Sequence, residues 1–213
     1  MRRIPLIPTI LVALAVAAMI ALGVWQLQRR GEKHAALQLY AANLLLPTIR
    51  FDGHTDDPAL LFRHARSACI AVLDWQRQGG RGTQGLQGWR QIATCRTPEG
   101  TLLPVDMGVT RDPLFRPVWA GGAVSGTLTH APDHRPLIAS AFSSEPRTLM
   151  LVSDRAAPGL EPSAPPDLSS IPNNHLAYAV QWFLFAGVAV IIYVLALRVR
   201  ARAAAQPSPS VTG

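Results

Sequence analysis

One histidine in this sequence is followed by aromatic and small residues at helical spacing. His175 opens an apolar stretch, and Tyr178, Ala179, Trp182 and Ala186 share one face of a helix that starts there. An imidazole nitrogen can bind a transition metal, and flat rings with small gaps beside them suit a planar amphipathic macrocycle such as haem. A second interpretation stays open, because His, Tyr and Trp are also typical of the interfacial belt at the outer end of a membrane span.

Basic side chains at the end of a separate apolar stretch are candidates to meet the carboxylates of such a macrocycle. Arg29 and Arg30 follow Gln26, and a guanidinium forms strong paired hydrogen bonds with a carboxylate. The same arginines also suit simple anchoring at the membrane interface.

The remaining residues give little sign of catalysis or metal binding. The sequence contains no Cys-x-x-Cys pair and no Gly-x-Ser-x-Gly nucleophile motif, and its acidic residues are scattered. His130 and His134 have the spacing of a helical metal pair, but Pro132 between them favours a solvated turn. We therefore expect a protein that is not an enzyme.

The two cysteines, Cys69 and Cys95, fall in predicted strands on the oxidising side of a membrane. Three interpretations stay open: a structural disulfide, two buried free thiols, or a thiol pair for copper or redox chemistry. Their spacing favours the first two.

Two long apolar stretches indicate membrane anchors on either side of one domain. The first covers about residues 4–25 and the second 176–197, and each is long enough to cross about 30 Å of hydrocarbon. Pro172 fixes the entry to the second helix, and Asn173 or Asn174 can cap it. The first stretch also fits a secretory signal peptide, but its length favours an uncleaved anchor.

The positive-inside rule orients these anchors. Arg198, Arg200 and Arg202 directly follow the second stretch, so we expect both termini in the cytoplasm of a bacterium and the central domain in the periplasm, at the inner membrane. In chain order we expect a cytoplasmic N-terminus (1–3), transmembrane helix 1 (4–26), a periplasmic β-rich domain with a short N-terminal helix (27–170), a capped transmembrane helix 2 (171–197) and a basic, disordered cytoplasmic tail (198–213).

The charge balance argues against nucleic acid as a partner. The formal net charge is +7, yet residues 27–170 hold 15 basic and 13 acidic residues, so most of the excess flanks the two spans. The basic excess therefore fits a partner that is a lipid membrane.

The central residues predict a mostly antiparallel β domain of α+β type, either a small barrel or a sandwich. Residues 32–46 have helical apolar spacing that ends at Pro47 and continue the first span. A Gly-rich hairpin loop is expected at 79–85. Short β-branched and aromatic runs between turn residues predict strands at 68–76, 88–96, 101–109, 123–129, 137–141 and 148–153.

Two stretches at opposite ends of the chain resemble the signature motifs of the Surfeit-locus cytochrome c oxidase assembly family. One is residues 22–29 (Leu-Gly-Val-Trp-Gln-Leu-Gln-Arg) and the other is 172–183 (Pro-Asn-Asn-His-Leu-Ala-Tyr-Ala-Val-Gln-Trp-Phe). Between them, residues 103–109 are similar to a family strand that usually ends in Asn-Arg-Gly-Trp, although Asp, Met and Val stand in three of those four positions here.

The resemblance implies a biogenesis factor for an aa3-type haem–copper oxidase. It implies that haem a is held between the two spans, with His175 as the iron ligand, and delivered to the large oxidase subunit after receipt from the haem a synthase. A scaffold for oxidase subunits that carries no haem is the alternative. In the haem interpretation Tyr178 and Trp182 pack against the macrocycle, and Trp25, Gln26 and Arg29 add contacts from the first span.

Overall fold

The structure, a computed structural model, describes residues 5–133 and 147–203. The chain divides into two compact units: a helical unit of Met1–Ala35 with Pro172–Gly213, and a sheet unit of Ala36–Ile171. The expected strand at 137–141, His134 and the tail beyond 203 lie outside the described residues.

Two long α-helices contain the apolar stretches. Helix α1 covers Leu6–Asn43 and helix α2 covers His175–Ala203. By length and composition, both are able to cross a membrane. α1 stays regular past its apolar part because residues 26–43 are rich in Ala, Leu and Gln, which favour helix, and it ends in a turn before Pro47. Two long apolar helices thus flank the sheet unit, as the sequence predicts for a two-span membrane protein.

Seven strands build the described part of the sheet unit. They pair in the order β1-β2-β6-β7-β5-β4-β3. Most neighbours are antiparallel, and only β1–β2 and β5–β7 are parallel, so the mostly antiparallel α+β prediction is confirmed. The strands are β1 (Ile49–Arg50), β2 (His64–Cys69), β3 (Ala71–Arg81), β4 (Gln87–Arg96), β5 (Leu102–Thr110), β6 (Gly122–His130) and β7 (Leu149–Ser153).

A disulfide shows that this sheet is strongly curved. Cys69 at the end of β2 is bonded to Cys95 in β4, and their Cα atoms are 5.2 Å apart although four places in the strand order separate the two strands. The described strands form one sheet, so the sandwich alternative is wrong. No described ladder joins β1 to β3, so the sheet resembles a barrel that hydrogen bonds leave open.

The sheet wraps around its main apolar core, and Ile92, Met150 and Val152 form a second, smaller cluster. The concave face buries a continuous set of side chains, and Tyr40 in the last turns of α1 stacks on Phe62 with ring centroids 5.2 Å apart. Asn43 is the last residue of the helix, and its side-chain amide donates hydrogen bonds to the carbonyls of Ala59 and Leu61 at 2.7 and 2.8 Å. The disulfide lies within this core, whose largest members are Phe51, Leu61, Phe62, Leu103, Met107, Leu128, Leu149 and Leu151.

The prediction of one strand across residues 68–76 is wrong. The chain leaves the ladder at Ile70, because β2 pairs with β6 whereas β3 pairs with β4 on the other side of the curved sheet. Ile70 donates its backbone N–H to Arg96 at 2.9 Å and exposes 59% of its surface. No Gly or Pro marks this corner, so the apolar pattern runs through it without a visible break.

A buried carboxylate joins the proline-rich segment before α2 to the sheet. Asp106 in β5 is completely buried and accepts hydrogen bonds from Ser163 at 2.7 Å and from the Gly108 backbone at 3.1 Å. The Arg90 guanidinium lies 3.1 Å from its second oxygen, although the two are not aligned as a hydrogen bond. Burial, the largest influence, raises the pKa of Asp106, and Arg90 opposes this.

Candidate functional site

The start of α2 places His175 at the first turn of a helix. Asn174 occupies the N-cap position, since its carbonyl accepts the backbone N–H of Tyr178 at 3.2 Å. Pro172, two residues before Asn174, has no backbone N–H to donate, so the helix does not extend further towards the N-terminus. His175 is half-buried, in contrast to the exposed residues Asn174 and Leu176 on either side.

His175 is in direct contact with α1. Its Nδ1 lies 2.8 Å from Oε1 of Gln26, a residue 149 positions away in the chain. With the amide oxygen as the acceptor, Nδ1–H donates, and the neutral ring keeps its lone pair on Nε2. No hydrogen bond to Nε2 is formed by the described residues, so that nitrogen is available to an added ligand.

The two helices pack along matching stripes of less exposed residues. The spacing alternates between three and four positions, as expected for helices that pack along their length. The pair is antiparallel, because the Thr9 and Tyr193 hydroxyls hydrogen-bond at the opposite end from Gln26 and His175. The stripes include Thr9, Val12, Val16, Met19, Gly23 and Gln26 on α1, and His175, Ala179, Trp182, Ala186, Ala189 and Tyr193 on α2.

The helices also meet closely at Gly23, one turn along α1 from Gln26. Gly23 is buried, and a Cβ added there would be 2.6 Å from the Phe183 ring. Ala179, one turn before Phe183 on α2, is only 1% exposed and is therefore also closely covered. The space between the helices is therefore filled at this level.

The structure brings together three of the six residues that the sequence suggests for the site. Gln26 and His175 are hydrogen-bonded, and Trp182 lies half-buried two turns further along the α2 stripe. The Trp182 ring packs edge-to-face on Phe185 with centroids 6.2 Å apart.

The other three candidates lie outside the helix contact. Trp25 and Tyr178 expose 49% and 52% of their surfaces. Arg29 forms an ion pair of 2.7 Å with Glu32 on its own helix, and both side chains are more than half exposed. Such a pair is weak in water, so this guanidinium can exchange Glu32 for another carboxylate.

Sequence reasoning missed two further contacts between the helices. Gly23 and Phe183 both lie inside the quoted motifs, but their contact depends on how two distant helices align. Thr9 and Tyr193 are polar residues within apolar stretches, and that unusual placement was the available signal for a contact.

Metal binding by a cluster of protein side chains finds no support in the described residues. They contain no group of three or more His, Cys, Asp or Glu side chains that could hold an ion. His130 has a buried Nδ1 with no hydrogen-bond partner, and burial lowers its pKa. The structure agrees with the first of the three interpretations of the cysteines, because Cys69 and Cys95 form a disulfide.

Comparison with known proteins gives one family. A sequence model described as the SURF1 family matches residues 13–187, which include most of α1, the whole sheet unit and the first part of α2. No curated protein matches the chain.

Proposed function

Because the chain belongs to the SURF1 family, whose role is in cytochrome c oxidase assembly, we propose that it carries haem a for an aa3-type haem–copper oxidase. In this proposal it receives haem a from the membrane-bound synthase and delivers it to the large oxidase subunit. It acts as a carrier and not as an enzyme. Its partners are these two proteins and the lipid membrane.

The observation that carries the proposal is the hydrogen bond between Gln26 and His175. It holds the imidazole in the tautomer with a free lone pair on Nε2 and restricts rotation of the ring, as a neighbouring hydrogen bond does for many metal-binding histidines. When bound, haem a supplies the iron centre that the oxidase needs, and His175 is the protein ligand to that iron.

The aromatic residues near His175 suit an apolar macrocycle. Trp182 is half-buried next to the helix contact, and the exposed Tyr178 ring lies one turn from His175. Trp25, next to Gln26, adds a further exposed ring from α1. We assign these three side chains to packing against haem a, whose isoprenoid tail also favours lipid.

The close contact at Gly23 refines where haem a binds. Because the helix interface is filled at Gly23 and Phe183, haem a between the spans has to lie at the His175 end or part the helices there. Arg29 is one turn beyond Gln26 and is assigned to the propionates in place of Glu32. A site at the end of a two-helix pair, and not in a closed core, also allows release of the cargo.

The disulfide and the basic residues at the end of α2 support the proposed location of the sheet unit and of the termini. A disulfide persists in an oxidising compartment, which agrees with a periplasmic sheet unit at a bacterial inner membrane. Arg198, Arg200 and Arg202 at the end of α2 agree with both termini being cytoplasmic.

The second candidate function is a scaffold that binds oxidase subunits without haem. It is favoured by the filled helix interface at Gly23, which leaves no preformed slot for a macrocycle at that level. The distinguishing experiment is an absorption spectrum of the full-length protein, purified from membranes of a host that makes haem a. A haem a spectrum supports the carrier, whereas a colourless protein that still co-purifies with the large oxidase subunit supports the scaffold.

A further inference from the structure

The sheet unit contains a cavity of about 720 Å³ that is distinct from the helical unit. Its inner wall includes Phe51, Met107 and Val124, which expose only 2%, 4% and 6% of their surfaces. The half-buried Trp119 forms part of the same wall and packs edge-to-face on Trp75 with ring centroids 6.4 Å apart. The cavity thus has apolar and aromatic side chains in its wall and a volume within the usual range of ligand-binding pockets.

Three exposed arginines line this cavity. Arg50, Arg66 and Arg155 all contribute to its lining, and all three are exposed. Arg50 forms an ion pair with Glu99, another lining residue. The guanidinium groups of Arg66 and Arg155 form no hydrogen bond or ion pair with any described residue, so the opening has two uncompensated positive charges.

The acidic lining residues do not cancel these charges. Glu99 is engaged by Arg50, and Asp52 is hydrogen-bonded to His54, an interaction that lowers the pKa of Asp52. The carboxylates near the cavity are therefore already paired. A ligand that brings its own carboxylate next to an apolar group matches both the charge and the interior.

We infer that this cavity binds an acidic peptide segment of a partner protein, with its carboxylates on Arg66 and Arg155 and an adjacent apolar side chain inside. The two-residue strand β1 ends the sheet beside the cavity and contributes Arg50, so an extended segment can lie along that edge. Inorganic phosphate would leave the apolar wall unused. A bilayer surface cannot reach Met107 and Val124 inside a concave site. The inference concerns the sheet unit alone and holds whether or not the helices carry haem.

Peptide binding by the full-length protein in zwitterionic nanodiscs tests this inference. The probe is a fluorescein-labelled peptide of alternating Asp and Leu or Phe residues, followed by anisotropy, and the control peptide has Asn in place of Asp. The double variant Arg66→Gln/Arg155→Gln should weaken binding of the acidic peptide by about tenfold or more, since two charge-assisted contacts are lost. Arg111→Gln, an exposed arginine outside the cavity, should stay within about twofold.

A gain-of-binding variant guards against effects of misfolding. Glu99→Gln releases the Arg50 guanidinium and should tighten binding of the acidic peptide by about two- to fivefold. Equal affinity for the Asp and Asn peptides, or unchanged binding by the Arg66 and Arg155 double variant, would overturn the inference. So would arginine-dependent binding to anionic vesicles by a protein that fails to bind the peptide, because the occupant would then be a membrane surface.

Discussion

At the scale of single residues, the side-chain amide of Gln26 determines which ring nitrogen of His175 keeps a lone pair for a ligand. Gln26 accepts from Nδ1 at 2.8 Å, so the lone pair lies on Nε2. A histidine at a membrane interface without such a partner would rotate freely and change tautomer. The pair therefore supports the proposed ligand role of His175, for which the residue types alone left the interfacial belt open as an interpretation.

Gln26→Leu tests this role. The change removes the acceptor for Nδ1 while keeping a side chain of similar size, so haem a retention should fall by about tenfold or more, as for other residues that support a metal ligand. The measurement is the ratio of haem absorbance to protein after purification. Gln28→Leu, an exposed position on the same helix, is the matched control and should retain the wild-type ratio. Equal retention by both variants would remove Gln26 from the site.

A second residue-scale prediction concerns the buried Asp106. Asp106→Ala leaves Ser163 and Gly108 without their acceptor and Arg90 without its neighbouring carboxyl group, and should lower the free energy of unfolding by about 3 kcal/mol. Asp106→Asn keeps an acceptor oxygen and should lower the free energy of unfolding by less than Asp106→Ala does. Urea denaturation of the full-length protein, followed by tryptophan fluorescence, measures both, and equal losses would argue against a role for the hydrogen bonds.

The stability that Asp106 contributes should change with pH in a defined direction. Because burial raises the pKa of Asp106, the folded protein holds this proton more tightly than the unfolded chain. The stability that the carboxyl contributes is full below its unfolded pKa and declines as pH rises towards the folded pKa. The advantage of wild type over Asp106→Asn should therefore shrink between pH 4 and pH 7. An advantage that grows over this interval would show that Arg90 outweighs burial.

At the scale of elements, the sequence predicts which segments are helices and strands better than how they meet. The spans follow from long apolar runs, and most strands follow from β-branched alternation. The corner at Ile70 was missed because no turn residue marks it. The assignment of Arg29 to a macrocycle carboxylate stays a prediction, and the structure adds an ion pair with Glu32 at i+3, a local partner that the sequence already contained.

The helix contact gives an element-scale prediction. Gly23→Leu forces a large side chain against Phe183, parts the helices and lengthens the His175–Gln26 contact, so haem a retention should fall several-fold. Gly31→Leu is the matched control, because a Cβ at Gly31 meets no atom within 4 Å. Haem absorbance per protein is the readout, and a Gly23→Leu protein with full occupancy would mean that the helices do not need to be this close.

At the scale of the whole molecule, long-range contacts produce the features that sequence reasoning could not supply. The strand order, the curvature of the sheet and the arginine-lined cavity all depend on residues from distant strands meeting in space. Cys69 and Cys95 illustrate this, since their spacing left three interpretations open and only the fold brings their Cα atoms to 5.2 Å. In contrast, the family motifs at residues 22–29 and 172–183 are continuous stretches, so the sequence alone is enough to recognise them.

The disulfide should stabilise the sheet unit and take no part in thiol chemistry. It closes a loop with a sequence separation of 26 residues, and the double variant Cys69→Ala/Cys95→Ala should lose about 3 kcal/mol of unfolding free energy. Oxidase assembly should continue at a temperature where the variant stays folded. Loss of assembly by a demonstrably folded variant would instead favour a redox or copper-transfer role.

The central claim is that His175 ligates the iron of haem a. Its most direct test is the absorption spectrum of His175→Ala beside that of His34→Ala, an exposed histidine on α1, each purified from a host that makes haem a. The account predicts that His34→Ala keeps the wild-type ratio of haem to protein and that His175→Ala loses about nine-tenths of it, since an iron ligand is removed. A His175→Ala protein with full haem occupancy and an unchanged spectrum would contradict the account.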